Sequence, residues 1–242
     1  MDDDLPLVSV IVPVGPDDDL APALRQQLEC LPRGFEVIEV RAAGAAPAPA
    51  APPPGAGAPD WRVCRASAGR ARQQNHGAGL ARGEWLWFVH ADSHLGANTA
   101  AVAHAQALRG PRVLAYFDLR FAPGGPRLMW LNALGAWLRS HWLGLPFGDQ
   151  GLLLRRTDFV ALGGFCPTLP AGEDHHLVWQ ARRAGLPLRG LPAPIYTSAR
   201  KYARGGWART TGATLCATVR QARRFARPSG DGGNPPRASA DA

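Results

Sequence analysis

The sequence predicts an open α/β sheet flanked by helices, and three observations carry that expectation. Val8-Ser9-Val10-Ile11-Val12 is a short β-branched apolar run of the kind buried on both faces in a parallel sheet. Leu20, Leu24 and Leu28 follow at helical spacing behind Asp17, Asp18 and Asp19, and Phe35 to Val40 is apolar again, which makes a β-α-β opening. The same alternation then continues along the chain.

In order, the first strand is expected to stop at Pro13, whose ring removes a backbone donor. The acids before Leu20 suit the positive end of the first helix. From Ala42 to Asp60 the composition is dominated by Ala, Pro and Gly, with few side chains to bury, so this stretch reads as a flexible loop. Trp61 to Cys64 is extended, Arg70 to Leu80 helical, and Trp85-Leu86-Trp87-Phe88-Val89 is the most hydrophobic strand candidate. A helix over Ala97 to Leu108, a strand over Val113 to Phe121 and a Trp-rich amphipathic helix over Arg127 to Leu143 follow. Then come a short strand at Gly151 to Leu154, a helix from Glu173, an extended piece around Ile195 and a basic helix from Trp207 to Phe225. One domain is expected over residues 1–225, with a disordered tail over 226–242.

Composition bounds the function. The 242 residues carry 27 Lys and Arg against 19 Asp and Glu, a net charge of +8 that favours anionic partners. The 28 Gly and 23 Pro fit loose segments around a core, because 46% of residues are hydrophobic. Collagen, coiled coils and disulfide miniproteins are excluded. The four cysteines form no Cys-x-x-Cys pair and read as reduced thiols, and the acidic Met1-Asp2-Asp3-Asp4 is unlike a signal peptide, so a cytoplasmic protein is expected. No apolar stretch reaches the roughly 18 residues of a membrane span.

Ligands in open α/β sheets collect beyond the carboxyl ends of strands, so His90-Ala91-Asp92, directly after a buried strand, is a site candidate. Two residues apart in extended chain, the imidazole and carboxylate point the same way and can bind a divalent ion; Asp92 capping the next helix is the bland alternative. Glu173 and Asp174 stand at a helix start, where they either complement the dipole or supply a general base. His175 and His176 face different directions and are not expected to bind metal. Gly148-Asp149-Gln150 is either a turn or a polar group at a pocket mouth. Arg200, Lys201, Arg204 and Arg209 around Gly205-Gly206 and Trp207 suit a diphosphate or a solvated basic face equally.

Taken in this order, the motifs resemble a family 2 glycosyltransferase of the GT-A fold. They are Val-Ser-Val-Ile-Val-Pro-Val at the start, Ala81-Arg82-Gly83-Glu84 leading into Trp85 to Asp92, then Gly163-Gly164-Phe165 and Glu173-Asp174. More narrowly, Gly69 to Asn75, His90-Ala91-Asp92, Gly148-Asp149-Gln150 and Arg200 to Trp207 look like the radical-SAM/selenodomain-associated transferase branch. The resemblance spans residues 7–225. It implies a metal-dependent, inverting transfer from a nucleotide-diphospho-sugar donor to an acceptor hydroxyl, with manganese or magnesium at Asp92 and His90. His90 replaces the first Asp of the family's metal motif. It further implies Asp174 as catalytic base beside Glu173, and donor or diphosphate contacts from Pro13, Arg72, Asp92, Asp149, Gln150, Arg200, Lys201, Arg204 and Trp207.

Two departures touch base recognition. Arg41-Ala42-Ala43-Gly44 stands where the family has an Asp, and Gly15-Pro16-Asp17 stands where it has Asn-Glu. One alternative is therefore a catalytically weakened scaffold binding an anion or a membrane surface. Another is a sugar nucleotidylyltransferase, although Val14 to Asp18 lacks the cations of that class. No nucleic-acid module accompanies the arginines of the last helix, so nucleic acid is not an expected partner. A lipid-linked acceptor and contact with the inner face of the membrane stay open.

Overall fold

The computed structural model describes residues 5–46 and 58–226. Among these residues eight strands form one sheet, in the order β3-β2-β1-β4-β7-β6-β8-β5. These are β1 (Val8–Val14), β2 (Phe35–Ala42), β3 (Asp60–Ala66), β4 (Trp85–Phe88), β5 (His94–Leu95), β6 (Leu114–Phe121), β7 (Leu153–Arg155) and β8 (Leu188–Thr197). The helices are α1 (Pro22–Glu29), α2 (Arg70–Leu80), α3 (Thr99–Arg109), α4 (Met129–Trp142), α5 (Arg156–Ala161), α6 (Glu173–Arg183), α7 (Arg200–Gly205) and α8 (Trp207–Ala226).

β1 to β4 are parallel, β7 joins β4 and β6 antiparallel, and β8 runs parallel to β6 and antiparallel to β5. All seven residues of β1 are buried, as a central parallel strand requires. Val8, Val10, Val12 and Trp87 pack under α1 and α3 through Leu24, Leu28 and Ala103. Ile11, Ile38 and Phe88 face the other way, against Ala71 and Ala78 of α2 and Leu177 and Val178 of α6. Fully burying each such side chain contributes about 1.5–3 kcal/mol, so the period-two alternation of β1 is what holds helices on both faces.

Several expectations are corrected. β1 runs through Pro13, which pairs in register with Val40. The Leu7 and Ile11 carbonyls accept from Trp85 N–H and Val89 N–H of the β4 segment. Strand alternation turns residue 13 toward that same neighbour, where proline has no N–H to give, and pairing with β4 ends. Asp17 to Asp19 do not head α1, whose first turn holds no acid. Asp19 instead accepts from its neighbour Leu20 N–H and from Arg41 Nη1 at 3.0 Å. Of the loop expected over 42–60, Ala42 and Asp60 belong to strands and Ala45 is buried; residues 47–57 lie outside the described residues, as do residues 227–242 of the expected tail. β5, α5 and α7 are too short to leave a periodic signature.

Long polar side chains pin the frame. Gln73 Nε2 donates to the Val14 and Val40 carbonyls, both at 2.7 Å, fixing α2 over the ends of β1 and β2. Asn75 pairs with Phe165 in both directions, at 2.7 and 2.9 Å. Glu36, fully buried on β2, accepts from Ser9 Oγ at 2.5 Å, Arg82 N–H at 2.6 Å, Arg82 Nε at 3.1 Å, Gly83 N–H at 3.2 Å and Arg62. These donors hold its carboxyl below the usual carboxylate range against the opposing pull of burial.

Candidate active site

The sheet order reverses at β1, because the chain first adds β2 and β3 on one side and then crosses back to β4 on the other. A reversal of that kind opens a crevice beyond the carboxyl ends of the two strands. His90, Ala91 and Asp92 follow β4 at that opening. They form a turn closed by Ser93 N–H donating to the His90 carbonyl at 3.0 Å, which corrects the extended chain expected there.

A cavity of about 1200 Å³ begins at this turn. His90, Asp92, Asp149, Asp174, Arg70 and Arg139 supply its ionisable lining, Thr197, Ser198, Arg200 and Tyr202 line it as well, α4 adds mostly apolar residues, and α8 adds threonines interleaved with Leu215, Val219 and Ala222. Asp92 and Asp174, far apart in sequence, therefore open onto one space.

Asp174 is held by backbone. Its Oδ2 accepts from Gly148 N–H at 2.5 Å and its Oδ1 from His175 N–H at 2.8 Å. An ionised carboxylate has about four lone-pair sites, so capacity remains on the cavity side. Gly148 is needed for this approach: a Cβ there would stand 2.9 Å from Asp174 Oδ2 and 3.0 Å from His90 Nε2. One backbone position thus separates the imidazole from the carboxylate.

His90 Nε2 is buried without a hydrogen-bond partner. Burial pushes the His90 pKa down to about 4, the positive charge of Arg70 adds to that effect, and Asp174 and Asp92 oppose it. The ring is therefore neutral at pH 7, the form in which an imidazole nitrogen can coordinate a cation. Among the described residues no group of three His, Cys, Asp or Glu side chains forms a closed metal cage. A buried orphan nitrogen beside one exposed carboxylate instead suits an ion that takes its remaining ligands from phosphate oxygens and water.

The other predicted residues divide. Asp149, Arg200 and Trp207 line the cavity. Arg200 is tethered through its N–H and Nε, which donate to Ser198 Oγ at 3.2 and 3.0 Å, and Trp207 Nε1 donates to Asn132 Oδ1 at 2.7 Å. Lys201 and Arg204 fall in α7, but their side chains lie outside the described residues. Pro13 is buried within β1, and Arg72 is exposed with Nη1 donating to the Ala68 carbonyl; neither lines the cavity. Glu173 is buried behind the wall and pairs with Arg70 Nη1 at 3.5 Å.

Gln150 is also absent from the lining. It is fully buried, donates to the Phe117 carbonyl, and accepts through Oε1 from Arg139 Nη2, Ser140 Oγ and Phe147 N–H at 2.7 to 3.1 Å. It locks the loop bearing Asp149 onto β6 and α4. The residue that sequence reasoning missed is Arg139, whose guanidinium lies 3.6 Å over the Phe147 ring and within the fields of Asp149 and Asp174. Burial lowers its pKa and those two acids raise it. The available signal was the one Arg in a mostly apolar helical run.

Comparison with solved structures places this frame. The S. aureus TarS fragment 1–349, solved in complex with UDP-GlcNAc, superposes with a TM-score of 0.55 at 16% identity over 79% of this chain. The mannosyltransferase PcManGT from Pyrobaculum calidifontis, solved with GDP-Man and Mn2+, does so with a TM-score of 0.57 at 20% identity, also over 79%. The fold is GT-A. This chain spans 58% and 56% of those two proteins. No protein-family model and no curated protein matches the sequence.

Proposed function

We propose that this GT-A chain is an inverting, metal-dependent glycosyltransferase that moves a sugar from a nucleotide-diphospho-sugar to an acceptor hydroxyl. The observation that carries this reading is the single cavity that Asp92, Asp174 and His90 line together. The likeness in fold to proteins solved with UDP-GlcNAc and GDP-Man supports the donor class.

In this reading Asp174, oriented by two backbone amides, takes the proton of the acceptor hydroxyl as that oxygen attacks the anomeric carbon. The bond from that carbon to the diphosphate oxygen breaks, its electron pair leaves with the diphosphate, and attack from the opposite face inverts the configuration. Arg200 lines the cavity and balances the departing charge. His90 and Asp92 would hold the divalent ion, and the chemistry a bound manganese or magnesium supplies is charge neutralisation on the leaving diphosphate.

The test is a thermal-shift screen of UDP- and GDP-sugars with manganese, followed by a transfer assay. A donor that binds only the folded chain raises its melting temperature. Asp174→Asn should keep that rise and lower turnover about a hundredfold or more. Unchanged turnover, or no rise with any donor, overturns the reading.

A further inference from the structure

The outer surface of α4 plays no part in the chemistry above, yet its exposed residues are all apolar or glycine apart from His141. Trp130 is 61% exposed, Trp142 77% and Leu134 45%. Leu215 and Val219 of α8 extend the same surface across the mouth of the cavity. Monomeric soluble proteins seldom expose a contiguous apolar patch of this kind without a partner for it.

Its borders are basic. Between Asp118 and Asp149, a stretch that includes α4, the sequence holds no acid; nor does it between Asp174 and Asp231, where eleven Lys and Arg residues occur. Arg223 follows Leu215 and Val219 at four-residue spacing, so one exposed stripe of α8 passes from apolar to cationic. At the other end Arg182 Nη1 donates to the Leu143 carbonyl at 2.7 Å, placing a guanidinium beside the end of α4.

Apolar side chains with tryptophans, framed by arginines and with no acid on either helix, complement the anionic headgroup zone of a bilayer. A second copy of the chain would instead set one basic border against another. No helix among the described residues is long and apolar enough to cross a membrane, so the geometry is that of a surface lying on the leaflet.

We propose that the α4–α8 face docks on an anionic lipid bilayer, so that the acceptor reaches Asp174 from the lipid side through the groove between these helices. The docking surface stands on the exposed residues alone; the delivery of an acceptor rests on the transferase reading.

The test is co-sedimentation of the full chain with vesicles of phosphatidylcholine alone and of phosphatidylcholine mixed with phosphatidylglycerol. The chain should sediment with the mixed vesicles and weakly with the neutral ones. Arg223→Ala should lower partitioning about fivefold. Trp130→Ser/Leu134→Ser, outside the cavity lining, should lower it about tenfold or more while leaving the donor-induced thermal shift intact. Failure to sediment with the mixed vesicles overturns the proposal. So does sedimentation untouched by Trp130→Ser/Leu134→Ser, which would mean charge attraction without docking. A dimer in light scattering that this double variant dissolves overturns it too, by giving the face to a second copy. Vesicle binding without any donor shift would sink the transferase reading and leave the docking standing; a donor shift without vesicle binding does the reverse.

Discussion

Glu36 and Asp174 are carboxylates held by backbone amides, one near the start of β2 and the other beyond the far ends of the strands. Glu36 is fully buried and takes donors from Ser9, Arg62, Arg82 and Gly83, which together join β1, β2, β3 and the entry to β4. Asp174 takes two amides and turns its remaining capacity toward a cavity. The difference is one of saturation. A carboxylate whose lone pairs are all engaged serves construction, while one held by fewer donors has room for a substrate proton.

That contrast can be broken in four ways. The largest effect belongs to Glu36→Ala, which strands Arg62, Arg82 and two other donors around a buried gap. Unfolding in denaturant should show a loss of about 3–5 kcal/mol. Asp174→Asn comes next, with its hundredfold fall in turnover accompanied by a melting-temperature change of only a few degrees; a collapse as severe as that of Glu36→Ala would erase the distinction.

Gly148→Ala should follow, because its methyl group would press on Asp174 Oδ2 and His90 Nε2. A stability loss of about 1–3 kcal/mol is expected by calorimetry, together with impaired turnover. The smallest effect is in pH. The folded pKa of Glu36 lies below the ordinary 4.5, so its stabilisation is fully present above that value and is lost as pH falls through the folded pKa. Acid titration of stability should be flatter in Glu36→Gln than in the parent chain; identical slopes would show that Glu36 binds no fewer protons when folded.

Much of the frame was legible because its signals are local. The apolar runs of β1, β2 and β4 are buried on both faces, and Arg70 to Leu80 is helical over the range expected. Asp92 and Asp174 were legible for the same reason, since one follows a strand and the other opens a helix. What escaped was set by tertiary partners. Glu173 and Gln150 adjoin cavity residues in sequence, but successive side chains diverge by about 100° on the α-helical turn of Glu173 and about 120° on the tighter turn of Gln150, which aims these two into the protein. Arg139 owes its place to the Leu145 carbonyl, Gln150 and Phe147, across a bend that no periodicity announces. β5 is two residues long, and its pairing with Ile195 and Tyr196 defines it.

Pro13 returns here with a broader meaning. Because an imino acid stands where β1 would next bond to the β4 segment, main-chain pairing ends there, and the chain beyond Val89 is released into the turn that carries His90 and Asp92. A turn placed by one missing backbone donor asks little of the side chains around it, so their identities can change while the turn keeps its place.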